Sequence, residues 1–251
     1  MFRSTSTLNS GGEFSSFYVR IIAMEQRKKT VGIMGVSGDP VHDGHIAAAL
    51  AALELPGMDE VWLMVTPHSP FKDPSRGAAL EHRTHLANLA AMSTGRLGHR
   101  IKVSDFEVLL RRFGVENSTV TMLEHFAETY PSLQPVWLMG ADNLATLHTW
   151  GNRWQDIMEK YPVGVFARPG SDEGAKASIA ATLYKETFLS PETFACKPGT
   201  WTFVESVHST ISSTIIREQL RQGRNPPELC LDAIGYIRQY GLYDYPQTST
   251  Q

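Results

Sequence analysis

The chain has 251 residues, enough for one sizeable α/β domain whose core needs no staples. Its 23 basic and 26 acidic residues give a formal charge of −3, which excludes a global basic field for nucleic acid or an anionic membrane and leaves any phosphate chemistry to local groups. Cys196 and Cys230 stand far apart without metal-like spacing, and the longest apolar stretch, "IAAALAAL", is too short to span a bilayer, so the expectation is a soluble, cytoplasmic protein without disulfides.

Residues 1–29 differ from the rest: they are rich in Ser and Thr, carry Arg3 and Arg20, and have Glu13 as the only acid before Met24. An organellar transit peptide has this bias, and so does an overextended start with Met24 as initiator. Lacking apolar periodicity, the segment reads as a flexible extension, and residues 30–251 as a single domain with a helical C-terminal portion. Strands are predicted at Val31–Val36, Val61–Thr66, Ile101–Val103, Val136–Met139, Val163–Ala167 and Trp201–Val204. Helices are predicted at Gly44–Leu55, Ala78–Met92, Thr119–Thr129, Trp154–Lys160, Ser213–Gln222 and Leu229–Tyr240. Continuous apolar strands alternating with helices predict an α/β fold, a doubly wound, mostly parallel sheet whose ligand sites lie at the strand-to-helix turns.

The first such turn is "GVSGDPVHDGH", Gly35 to His45. Glycines at a strand end, followed by a helix start near Gly44, make an anion site from free backbone N–H groups. A dinucleotide fingerprint is excluded by the glycine spacing and by "VTPHSPFK" after the second strand, which offers no acid to a ribose. Zinc pairs of the His-Glu-x-x-His kind are four apart, whereas His42 and His45 are three apart with no third ligand evident. They read either as capping or core histidines, or as donors to phosphate oxygens whose charge builds in a transition state. Their place at an anion site favours the second. "GVSGDPVHDGH" resembles the Gly-Gly-Thr/Ser-Phe-Asp-Pro-x-His-x-Gly-His signature of the nucleotidyltransferase superfamily, which transfers a nucleotidyl group from a nucleoside triphosphate.

Further motifs narrow this reading. "TPHSPFKD" puts Lys72 on a loop beside the first turn, as a point charge for phosphate. "ENSTVTMLEHF" places Thr119 at a helix start, "LMGADNLATLHTWGNRW" places Asp142 at a strand end, and "FARPG" ends the fifth strand at Arg168. Trp150, in a turn, offers a face for stacking, while Trp154 is equally a core residue. "STISSTIIREQL" gives a helix start at Ser212, Ser213 and Thr214 with Arg217 one turn on, the second side of a triphosphate clamp.

In order and spacing, these motifs and the closing "YIRQYGLY" resemble the bacterial nicotinate mononucleotide adenylyltransferases from about residue 31 to residue 244. That resemblance implies a Rossmann-like fold and adenylyl transfer from ATP to nicotinate mononucleotide in NAD biosynthesis. It places ATP against Gly35, Val36, Ser37, His42, His45, Asp142, Ser212, Ser213 and Arg217. It places the nicotinate nucleotide against Lys72, Thr119, Trp150 and Arg168, and makes His42, His45, Lys72 and Arg217 catalytic. No carboxylate cage is evident, so Mg²⁺ is expected to arrive with ATP. The expected partners are the two nucleotide substrates, with no nucleic acid or membrane, and a homo-oligomer is left open. Two departures stand out: Val36 and Gly38 occupy positions where relatives have Gly and Phe, and the family's Ser-Tyr-Thr-x-Asp-Thr-Leu reads "NSTVTML". They leave two alternatives beside the main reading, a different phosphate acceptor (nicotinamide mononucleotide or phosphopantetheine) and a nucleotide-binding paralogue without activity, against which the intact histidines and Arg217 stand.

Overall fold

Six short, mainly apolar runs form the strands, and those inside the sheet bury successive residues on both faces, while the edge strand Ile101–Ser104 buries only Ile101 fully. The computed structural model describes residues 27–67, 77–116, 118–205 and 211–247. The strands β1 (Lys29–Val36), β2 (Glu60–Val65), β3 (Ile101–Ser104), β4 (Leu133–Gly140), β5 (Val163–Phe166) and β6 (Trp201–Val204) pair in the order β3-β2-β1-β4-β5-β6. Every pair is parallel, so the mostly parallel sheet expected from the sequence is wholly so among the described residues. β1 begins two residues before the expected Val31, at Lys29, whose ammonium bonds the Glu60 carboxylate of β2. Residues 1–26, most of the segment read as an extension, lie outside the described residues.

The helices, in chain order, are α1 (Asp43–Leu53), α2 (Leu80–Met92), α3 (Phe106–Arg112), α4 (Thr119–Thr129), α5 (Ala141–Thr146), α6 (Trp154–Lys160), α7 (Asp172–Lys176), α8 (Ile179–Leu183), α9 (Ser213–Arg221) and α10 (Leu231–Tyr240). The pleat sends Ile33, Trp137 and Met139 to the core under α4, α5 and α6, and Met34, Leu63 and Leu138 to the core under α1 and α2. α1 buries Ile46, Ala49, Ala52 and Leu53, and its small side chains let it lie close to the sheet. A third apolar cluster, with Leu86 of α2, Ile216 and Leu220 of α9, Ile234 and Ile237 of α10, and Tyr243, seats the C-terminal helices on α2. No helix among the described residues is long and apolar enough to cross a membrane.

Leu138, at the centre of the sheet, leans over glycines of both neighbouring strands. A Cβ on Gly32 would stand 2.5 Å from its Cδ1 and a Cβ on Gly164 2.9 Å from its Cδ2. With Leu138 hemmed on both sides and only 1 % exposed, Gly32→Ala overpacks the core. It should cost about 1–3 kcal/mol, read as a thermal midpoint lower by roughly 2–4 °C per kcal/mol for a chain of this size. An unchanged midpoint would mean that Leu138 swings aside freely.

Candidate active site

Strand order reverses direction between β1 and β4, which opens a crevice beyond their carboxyl ends. A cavity of about 630 Å³ lies there, at the ends of β1, β4 and β5. Gly35, Val36, Ser37, His42, His45, Asp142, Arg168 and Ser212 all line it. Residues from distant parts of the sequence thus share one cavity.

The turn after β1 is built from its own sequence upward. Val36 is the last residue of the strand and is buried. Gly38 has φ +57°, a left-handed conformation that a side chain disfavours, and a Cβ there would meet Val41 at 3.2 Å. The Ser37 carbonyl accepts from Arg83 Nη1 at 2.6 Å. The Asp39 carboxylate turns inward and accepts from the Ala78 N–H at 3.0 Å.

His42 then caps α1. Its Nδ1 accepts from the Gly44 N–H at 3.2 Å, and its own N–H donates to His45 Nδ1 at 3.3 Å, closing a reciprocal capping box. The ring centroids are 4.0 Å apart. Because each Nδ1 is an acceptor, each proton is carried on Nε2. Burial, and then the nearby Arg168 guanidinium, lower the His42 pKa to about 4, so the ring is neutral at pH 7. The capping and the phosphate-donor readings are therefore compatible: capping fixes the tautomer that makes Nε2–H a donor. α9 brings a second helix start to the cavity at Ser212, whose hydroxyl accepts from the Ile215 N–H at 3.3 Å. Two helix N-termini favour an anion between them.

On the opposite wall, Asp142 in the first turn of α5 pairs with Arg168 at 3.4 Å, an exposed contact worth little by itself. The other carboxylate oxygen, Oδ1, is shielded from solvent and has no hydrogen-bond partner. Gly140 makes this placement feasible, since a Cβ there would lie 2.4 Å from Oδ1.

Residues 34–219 match the sequence pattern of the cytidylyltransferase-like family. The chain is 36% identical over 195 residues to a probable nicotinate-nucleotide adenylyltransferase of Ruegeria sp. (strain TM1040), covering 76% of this chain and 97% of that protein. It is 40% identical over 193 residues to the Cereibacter sphaeroides (strain ATCC 17023) protein of the same name, covering 74% and 95%. The chain belongs to the cytidylyltransferase-like family, in its nicotinate-nucleotide adenylyltransferase branch. The Plasmodium falciparum nicotinic acid mononucleotide adenylyltransferase complexed with NaAD shares the fold, with a TM-score of 0.65 at 16% identity over 87% of this chain and 98% of that one.

Within this family member, the other residues read from the sequence lie as follows. Ser213 and Arg217 do not line the cavity; the Ser213 hydroxyl donates to the Pro40 carbonyl at 3.1 Å and Arg217 Nη1 to the Asp39 carbonyl at 2.7 Å, so both brace the first turn. Thr119 starts α4 and Trp150 follows α5, both at the carboxyl edge of the sheet and outside the cavity lining. Trp150 is half-buried against the core, and Trp154 is a core residue. Lys72 lies outside the described residues. The sequence reading missed Arg83 and Gly140. Arg83 sits in the buried stripe of α2 with Leu86, Ala87 and Ala90, and a charge in an apolar slot was its signal.

The neutral His42 gives a pH signature. Its folded pKa, about 4, lies below the ordinary 6.5, so the unfolded chain binds the extra proton and the native state loses stability as pH falls from 6.5 toward 4. His42→Asn keeps a cap acceptor but cannot titrate. Between about pH 7 and pH 5, denaturant titration should show the unsubstituted chain losing about 2 kcal/mol more than His42→Asn. Equal losses would mean that His42 protonates freely in the fold.

Proposed function

We propose that the chain joins ATP and nicotinate mononucleotide to give nicotinate adenine dinucleotide and pyrophosphate. The observation that carries this reading is the capped pair His42 and His45, with protons held on Nε2, at a helix start in the β1/β4 crevice. The 5′-phosphate of the acceptor attacks the α-phosphorus in line, the bond to the pyrophosphate oxygen breaks, and no general base is needed because nucleophile and leaving group are anionic. The Nε2–H groups donate to the α-phosphate as charge moves to its oxygens.

Other roles follow from position. Asp142 Oδ1, shielded and unpartnered, suits a ribose hydroxyl, which would satisfy it. Arg168 stands in the same cavity as His42, so it suits a phosphate of either substrate. By the family resemblance, and not by position, Lys72 would add charge to the triphosphate and Thr119 and Trp150 would stand beside the nicotinate nucleotide. Asp142 is the only carboxylate among the described residues that line the cavity, a donor set that fits Mg²⁺ arriving on ATP, where it would neutralise triphosphate charge.

Pyrophosphate release, measured with ATP and Mg²⁺ against nicotinate mononucleotide, nicotinamide mononucleotide and phosphopantetheine in parallel, should be strong with the first and absent without an acceptor. Release with another acceptor alone would move the substrate, and ATP binding without release would favour a non-catalytic nucleotide-binding role. His45→Ala should lower turnover by roughly 10² to 10³ with little effect on ATP binding; turnover near that of the unsubstituted chain would remove the imidazole from the mechanism.

A further inference from the structure

Beyond the cavity, the segment after α10 holds a conformation that its sequence does not favour. Gly241, Tyr243 and Asp244 have φ of +59°, +58° and +56°, and two of the three carry side chains that disfavour this region. Tyr243 is nonetheless buried, at 7 % exposure, in the cluster that joins α2, α9 and α10. Its ring packs as a phenylalanine ring would. Its hydroxyl is shielded from solvent and makes no hydrogen bond of ordinary geometry. Both features oppose folding, and apolar packing explains neither.

Tyr243 shares its apolar cluster with Ala78, whose N–H bonds the Asp39 carboxylate, and with Ile216, the neighbour of Arg217, so the hydroxyl lies at the underside of the turn after β1. Burial and then the Asp39 carboxylate push the Tyr243 pKa well above its ordinary value, so it remains a donor, and Arg217 and Arg83 are the cations beside it. Asp39 is the joint of that turn: Oδ1 accepts from Ala78, Oδ2 faces Arg217 at 3.8 Å, and the backbone carbonyl takes Arg217 Nη1. Three residues later comes His42, whose cap sets both imidazoles. A small shift of either group would close the bond between the Tyr243 hydroxyl and Asp39.

We propose that Tyr243 is a positioning residue: its hydroxyl acts on Asp39 and holds the Asp39–Pro40 turn, and through it the His42 cap, in the register that the transferred phosphate requires. Its effect on turnover rests on the adenylyl transfer proposed above, while its effect on the turn does not. Tyr243→Phe keeps the ring and removes only the hydroxyl. It should leave the thermal midpoint close to that of the unsubstituted chain, because the packing of the ring is kept. Amide hydrogen exchange across residues 37–45 should nevertheless quicken by about tenfold, and kcat should fall by about tenfold with KM for ATP within about twofold. In an Asp39→Asn background the same substitution should change neither exchange nor kcat further. Unchanged exchange and kcat, or a lowered midpoint as the sole effect, would overturn the proposal, as would full additivity with Asp39→Asn. If the unsubstituted chain transfers to no acceptor, the functional reading fails by itself, and the exchange data still decide whether Tyr243 holds the turn.

Discussion

A parallel sheet ends its strands in irregular backbone, and the carbonyls released there must find donors if they are buried. In this chain one guanidinium meets much of that requirement. Arg83, 2 % exposed, donates to Ser37 after β1, to Thr66 after β2 and to Ala78 at the entry to α2. Burial opposes its charge and the nearby Asp39 carboxylate favours it. The planar, five-donor fork explains why arginine fits: a lysine ammonium carries its three donors on one nitrogen and cannot spread them to carbonyls on separate segments. The turn that carries the histidines is therefore fastened from below before any ligand contact is considered.

From that fastening follows the chemistry of the histidine pair. A helix start leaves backbone N–H groups without partners, and many chains meet that need with Ser or Asp. Here imidazoles do so, and the consequence reaches beyond the helix. Accepting at Nδ1 places the proton at Nε2, burial keeps His42 neutral, and the helix dipole adds positive potential without adding a titrating group. One local geometry thus supplies helix stability and the donor that the proposed transfer needs, so under that proposal a substitution at His42 acts on folding and on function together.

Much of this architecture is legible in the sequence because long apolar strands and full-period helices carry redundant signals. α4 and α6 match their expected spans, as does β6, and the other strands differ by a few residues at their ends. α3, α5, α7 and α8 are not evident in the sequence; α5, α7 and α8 have six residues or fewer, too few to show a helical period, and α5 begins directly at the end of β4. In the site, the histidines, Asp142, Arg168 and Ser212 were legible through motif and topology. Arg83 was not, because within "EHR" an arginine looks like a surface charge until its burial is known. Tyr243 was equally hidden, since "GLYDY" near a chain end gives no sign of a left-handed turn inserted into a core. Arg217 and Ser213 show the limit of spacing arguments: one helical turn puts them on the same side, but the Asp39 and Pro40 carbonyls take them as braces of the loop.

The two residues that depart from the family pattern can be weighed in the same physical terms. Val36 completes β1, pairing with Val65, and buries its side chain in the core under α1 and α2. Gly38 supplies the left-handed residue that lets the backbone reverse toward Asp39. Neither removes a donor, because the donors of the site come from the His42 cap, the start of α9 and Arg168. What they set is where this backbone bends, at Gly38. Decay of function strikes donors and scaffolding alike, whereas here the cap, the Arg83 fastening and the Arg217 brace remain mutually consistent. A bend held by intact fastenings is the pattern of a working loop.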